Sequence, residues 1–129
     1  MQRKFRGMTK SSVRIAIVDD DESVRKALGR LLAANSFTID TFGTAQEFLS
    51  SLNVRKPECL ILDLHMPDIT GLDLQHHLQR SEIRIPTIII TAQNEVGLQE
   101  RCRAAGAAAY LVKPVNGPTL VSTINAVVQ

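Results

Sequence analysis

Short apolar runs alternate with amphipathic segments along most of the chain. The clearest run, residues 59–62, leads directly into Asp63 and is followed by Pro67 and Gly71. A short apolar run between turn residues is typical of a strand buried on both faces. The pattern predicts five strands at 13–18, 37–42, 59–63, 87–91 and 109–112.

Each predicted strand is followed by a segment with the apolar spacing of an amphipathic helix. The five predicted helices begin near Ser23, Ala45, Leu72, Glu95 and Gly117. Thr44 and Glu47 form a capping-box pattern for the second helix, with Glu47 expected to reach back to the start of that helix. The fourth helix, predicted over 95–105, is weaker because Gly97 lies inside it, and Gly106 is expected to end it.

Strands that alternate with helices predict a parallel sheet covered on both faces. At this chain length the common solution is a flavodoxin-like, doubly wound (βα)5 fold of the α/β class. Its five-stranded parallel sheet has the order 2-1-3-4-5. In that order the first and third strands are neighbours, so the residues that follow them meet at one edge.

The composition narrows the classes of protein. The chain has 129 residues, enough for one domain, and 44% of them are hydrophobic. No apolar run reaches the roughly 18–20 residues of a membrane span, and the N-terminus lacks the apolar core of a signal peptide. We therefore expect a soluble cytoplasmic protein whose two cysteines, Cys59 and Cys102, are reduced.

Charge is uneven along the chain, although the net charge is only +2. Residues 1–14 contain no acidic side chain and five basic ones: Arg3, Lys4, Arg6, Lys10 and Arg14. The sequence predicts a flexible basic arm at 1–12 and a folded domain at 13–129. A solvated terminus is favoured over an arm that binds nucleic acid or a membrane.

Polar side chains stand where the predicted strands end. Asp19 and Asp20 follow the first strand, and Asp63 ends the third, so three carboxylates should converge. A hard divalent cation such as Mg²⁺ would offset their repulsion. Thr91 ends the fourth strand and Lys113 follows the fifth. A carboxylate between a metal, a hydroxyl and a lysine is suited to receive a phosphoryl group.

Four separated motifs carry a family resemblance. They are the acidic run at 19–22, the segment from Asp63 through Pro67 to Gly71, Thr91-Ala92, and Lys113-Pro114. Found together in this order, each at a strand end, they are highly specific. Residues 13–128 resemble the receiver (CheY-like) domain of two-component response regulators, of the type joined to a helix-turn-helix DNA-binding domain.

The resemblance implies a role for each matching residue. Asp63 would accept the phosphoryl group from a histidine kinase or a phosphotransfer protein, and Thr91 and Lys113 would bind the phosphoryl oxygens. The metal, Mg²⁺ or Mn²⁺, would be held by Asp63, by Asp20 directly, by Asp19 through water and by the backbone carbonyl of His65. The bond between Lys113 and Pro114 would be a cis peptide.

The resemblance also implies a switch. Thr91 would move toward the phosphoryl group, and Tyr110 would follow it. The surface formed by the fourth helix, fifth strand and fifth helix would then repack and favour a homodimer. Output would be control of transcription through an effector domain, without direct DNA or membrane contact by this domain. A stand-alone receiver in a phosphorelay is the alternative output.

Two other functions compete with this interpretation. A phosphatase with an aspartate nucleophile generally needs a second acid two residues later, but position 65 is histidine. A flavodoxin-like cofactor binder needs a phosphate-binding loop after the first strand, where this chain has four acids. We therefore expect no enzyme with a separate substrate, only self-directed phosphotransfer and autodephosphorylation.

Overall fold

The computed structural model describes residues 13–92 and 95–129. Within them strands and helices alternate without exception. The strands are β1 (Arg14–Val18), β2 (Thr38–Phe42), β3 (Cys59–Asp63), β4 (Thr87–Thr91) and β5 (Ala109–Val112). The helices are α1 (Glu22–Ala34), α2 (Ala45–Ser51), α3 (Gly71–Arg80), α4 (Leu98–Ala104) and α5 (Gly117–Val127). The predicted basic arm at 1–12 lies outside the described residues.

All strand pairs of the sheet are parallel, and the strand order is β2-β1-β3-β4-β5. This confirms the predicted flavodoxin-like topology. Val18 pairs with Leu62, so the next residues, Asp19 and Asp63, lie side by side. Thr91 pairs with Val112, which places Lys113 beside the end of β4.

The sheet separates two apolar clusters. One contains Phe48, Leu74 and Leu98 and lies under α2, α3 and α4. The other contains Leu32, Leu120 and Ile124 and lies under α1 and α5. Every residue of β3 and β4 is buried, as expected for strands covered on both faces. No helix in the described ranges combines the length and apolar character that a membrane span requires.

Local side-chain bonds fix the beginnings of the helices. The Asp21 carboxylate caps α1 by accepting from the backbone N–H of Ser23 and Val24. Thr70 and Asp73 form a reciprocal capping box at α3. Thr44 caps α2 as predicted, but the carboxylate of Glu47 accepts from the backbone N–H of Gly43 at 3.1 Å.

The prediction for the fourth helix was wrong at its start. Helix α4 begins at Leu98, and Gly97 lies outside it as the N-cap residue, with φ = 84°. A left-handed backbone suits glycine, so Gly97 turns the chain into the helix and does not weaken its interior. Gly106, with φ = 103°, follows the helix as predicted.

Candidate functional site

Three carboxylates meet at the carboxyl edge of the sheet. Asp19, Asp20 and Asp63 each offer an oxygen atom, and these atoms lie within 4.8 Å of one another. Asp19 is 3% exposed and Asp63 is 6% exposed, whereas Asp20 faces solvent. The cluster therefore has a buried floor and one accessible acid, which makes it a cup open to small ions and molecules.

Lys113 reaches both buried carboxylates. Its Nζ atom is 3.2 Å from Asp19 Oδ2 and 3.6 Å from Asp63 Oδ1. Burial acts to lower the pKa of Lys113, but the charges of Asp19 and Asp63 outweigh it and leave the pKa above its usual value. The lysine is therefore a fixed positive charge beside Asp63.

The surroundings of Asp63 disfavour its ionised form. Burial raises its pKa, and the neighbouring charges of Asp19 and Asp20 raise it further. Lys113 and a hydrogen bond from the backbone of His65 oppose that rise without cancelling it. Any added cation would relieve the repulsion among the three acids.

The backbone and side chain of Asp19 are both anchored. Its backbone N–H donates to the Phe42 carbonyl at 3.1 Å, and Oδ1 accepts from the Asp21 N–H at 2.9 Å. Its backbone carbonyl accepts from Nη1 of Arg25 at 2.7 Å. With the Lys113 ion pair, these contacts join the end of β1 to β2, α1 and β5.

Thr91 and Tyr110 lie on neighbouring strands, β4 and β5, which both end at the site. Thr91 is fully buried at the end of β4, and its backbone carbonyl accepts from the Lys113 N–H at 2.8 Å. Tyr110 pairs in register with Ile89 and packs, partly buried, against the cluster under α4. The peptide bond between Lys113 and Pro114 is cis.

The chemistry of the donor set fits a small hard cation. Carboxylate oxygens are the ligands that Mg²⁺ and Mn²⁺ prefer, and a partly open site leaves room for the waters that Mg²⁺ retains. His65 is exposed, and its backbone is held close to Asp63. The acid cup thus has the composition of a magnesium site.

Comparison with known proteins agrees with this arrangement. The family model for the response regulator receiver domain matches residues 15–125. The chain belongs to the response regulator receiver family.

Individual relatives of this receiver domain are regulators. It is 32% identical to response regulator protein TodT of Pseudomonas putida, over 99% of this chain and 56% of that protein. It is 34% identical to transcriptional regulatory protein FixJ of Rhizobium meliloti, over 85% of this chain and 54% of that protein. The chain thus spans about half the length of the curated relatives it matches.

Solved structures include a response regulator receiver protein from Burkholderia phymatum. It is 38% identical to this chain and superposes with a TM-score of 0.81, covering 91% of this chain and 95% of that one. The overall fold of this chain is thus shared with an experimental structure.

Two residues near the receiver site were missed in the sequence. Arg25 lies on the polar side of the first helix pattern, and periodicity gives no sign that its side chain turns back to Asp19. Gly71 was recognised as a turn residue and as part of the third-strand motif, but its close approach to the backbone of Asp63 and Leu64 was not predicted. Its position four residues after Pro67, in a loop, was the available signal that it serves a close backbone approach.

Proposed function

We propose that this domain is a phosphorylation-controlled switch whose phosphoacceptor is Asp63. The observation that carries the proposal is the position of Asp63 between Lys113 and two further carboxylates at a partly open edge of the sheet. A structural aspartate would not need two acidic neighbours, because each of them makes its ionised form less stable.

The proposed reaction is a transfer from nitrogen to oxygen. A carboxylate oxygen of Asp63 attacks the phosphorus atom of a phosphohistidine on a sensor histidine kinase or phosphotransfer protein. The P–N bond breaks as the new P–O bond forms, and the departing imidazole takes up a proton from solvent. Lys113 would stabilise the negative charge on the phosphoryl oxygens, and the hydroxyl of Thr91 would donate to one of them.

Mg²⁺ or Mn²⁺ is the proposed cofactor. When bound, it would neutralise charge on the carboxylates and on the incoming phosphoryl group. Asp63, Asp20 and the backbone carbonyl of His65 would hold it directly. Asp19 would act mostly through water, since its side-chain oxygens already accept from Lys113 and the Asp21 N–H.

The proposed consequence is a change at α4, β5 and α5. Thr91 and Lys113 would move toward the new phosphoryl group. Tyr110, which pairs with Ile89 two residues before Thr91, would shift with them. This surface would then form a homodimer or release a partner. Attack of water on the acyl phosphate would restore Asp63, so the domain would process only its own modification.

We propose control of transcription as the output, through an effector domain and without DNA contact by this domain. The support is the name of the FixJ relative, a transcriptional regulatory protein, and the share of that protein that this chain covers. We also propose that the protein acts in the cytoplasm. A stand-alone receiver in a phosphorelay is the other candidate output.

Intact-mass spectrometry tests the proposal. The wild-type domain is incubated with acetyl phosphate, with Mg²⁺ or with a chelator. We expect the mass of one phosphoryl group to be gained only with the metal, and we expect no gain for Asp63→Asn.

The matched control is Asp68→Asn. Asp68 is an exposed acid in the same loop, and its left-handed backbone (φ = 64°) suits asparagine as well as aspartate. It should be phosphorylated as wild type. A folded wild-type domain that gains no mass, or an equal gain in Asp63→Asn, contradicts the assignment.

A further inference from the structure

Arg25 ties the acidic loop to its own helix by two bonds. Its backbone N–H donates to the Asp21 carbonyl at 3.0 Å, as part of α1. Its side chain turns back, and Nη1 donates to the Asp19 carbonyl at 2.7 Å. The bond is short and charge-assisted, and such bonds are among the stronger ones in proteins.

The carbonyl that Arg25 holds belongs to the peptide linking Asp19 to Asp20. Rotation of that peptide would swing the Asp20 carboxylate relative to the two buried acids. The Asp19 N–H is held by Phe42 and its Oδ1 by Asp21, so the bond from Arg25 completes the anchoring of this segment. The exposed Asp20 side chain is thereby presented from a fixed backbone.

Gly43 makes room for the guanidinium. A β-carbon at Gly43 would lie 3.1 Å from Nη1 of Arg25, a close contact. The guanidinium therefore lies against Gly43, the residue that directly follows β2. The φ angle of Gly43 is not in the left-handed region, so the requirement at this position is space for Arg25.

We propose that Arg25 is a positioning residue that sets the affinity of the acid cup for Mg²⁺ by fixing the Asp19–Asp20 peptide. Support of this kind for ligands is worth about 10- to 100-fold in metal affinity at other sites. The inference rests on the proposed function, because it assumes that the cup takes a divalent cation.

The charge of Arg25 and its bond to Asp19 should have opposite effects on Mg²⁺ affinity, which makes the inference testable. Removal of a positive charge near a cation site should strengthen cation binding, because like charges repel. Loss of the bond to Asp19 should weaken it. The sign of the change in Mg²⁺ affinity therefore distinguishes positioning from a purely electrostatic role.

The experiment is titration calorimetry of the unphosphorylated domain with MgCl₂, at low and at high ionic strength. Arg25→Met keeps an unbranched stem and loses the donors and the charge. We expect about 10-fold weaker Mg²⁺ binding, by analogy with other supporting residues. The loss should persist at high ionic strength, where an effect of charge would be screened.

Two further variants serve as a second perturbation of Arg25 and as a control. Gly43→Ala changes no charge, and the three atoms nearest to its β-carbon all belong to the Arg25 guanidinium, so it should also weaken Mg²⁺ binding. Arg30→Met removes an exposed arginine from the same helix and should leave the affinity unchanged. Thermal unfolding with a chelator shows that each variant is folded.

The outcomes separate the two proposals. Wild-type affinity, or tighter binding, in folded Arg25→Met and Gly43→Ala would overturn the role of Arg25 alone. A folded wild-type domain that binds no Mg²⁺ and gains no phosphoryl group would overturn the proposed function, and this inference with it.

Discussion

Gly71 packs so closely against Leu64 that a β-carbon on Gly71 would lie 2.8 Å from the Leu64 α-carbon. The same β-carbon would also collide with the backbone carbonyl of Asp63. The Gly71 N–H in turn donates to the Leu64 carbonyl at 3.0 Å. The start of α3 is thus pressed directly onto the segment that carries the proposed phosphoacceptor.

We predict that Gly71→Ala destabilises the domain by about 1–3 kcal/mol, the usual cost of excess volume in a packed site. The obstacle is backbone and cannot rotate away, so Asp63 should shift and phosphorylation should slow. Denaturant unfolding and the intact-mass time course measure the two effects.

Gly29→Ala is the control for that substitution. A β-carbon at Gly29 would meet only Ile39, at an ordinary 3.9 Å, inside α1. Because alanine is the better helix former, this variant should gain up to about 1 kcal/mol. Equal effects at Gly29 and Gly71 would contradict the close-contact argument.

Asp63→Asn should stabilise the domain in the absence of divalent metal. The folded-state pKa of Asp63 lies above its ordinary value, so the folded protein binds this proton more tightly than the unfolded chain does. Ionised Asp63 therefore reduces stability fully above the folded pKa, and the reduction shrinks as the pH falls through that pKa and is gone below the ordinary pKa. Asparagine removes that cost.

Thermal unfolding with a chelator measures this effect. At neutral pH the melting temperature of Asp63→Asn should exceed that of wild type, and the difference should shrink in acid. Added Mg²⁺ should stabilise wild type more than the variant. A variant that is less stable than wild type at neutral pH would show that the repulsion among the three acids is already offset.

Glu82→Gly should stabilise the domain by about 1 kcal/mol, the usual cost of a left-handed backbone for an ordinary residue. Glu82 follows α3 with φ = 58°, and the next N–H, of Ile83, bonds back to the Leu78 carbonyl at 2.9 Å. This is a Schellman motif, in which glycine is the preferred residue.

Denaturant unfolding checks the value, and two controls accompany it. Glu82→Ala keeps the backbone cost and should give no comparable gain. Gly106→Ala imposes such a cost after α4, where φ is 103°, and should lower stability. A gain in Glu82→Ala would trace the effect to the glutamate side chain.

Neither cysteine thiol should react in the native protein. Cys59 and Cys102 are fully buried, and burial raises the pKa of the Cys59 thiol to about 12. The reactive thiolate is therefore scarce as well as inaccessible at neutral pH. A colourimetric disulfide reagent should detect two thiols in denaturant and almost none without it. Rapid labelling of the native domain would contradict this burial.

Much of the fold was predictable because both faces of the sheet are covered. Strands such as β3 and β4 are then continuous apolar runs. Residues typical of turns lie between these runs and the helices. Most predicted boundaries lie within a residue of the observed ones. The start of α4 was not predictable, because an apolar period cannot tell a glycine inside a helix from one that caps it.

The site residues that lie at the ends of strands could be predicted from the sequence. Asp19, Asp63 and Lys113 are brought together by topology alone, so a correct strand order places them. Arg25 was not predictable, because its partner is a backbone carbonyl that has no signature in the sequence. The close approach of Gly71 likewise depends on how α3 sits on β3.

The complete burial of β3 and β4 has a consequence for folding. With both faces apolar, alternation of side chains does not tell neighbouring strands how to align. A slip of one residue would carry Asp63 into the apolar interior, where an unpaired carboxylate is costly, or push Leu62 out of it. We therefore expect the carboxylate at the end of β3 to disfavour misaligned strand pairing while the sheet assembles.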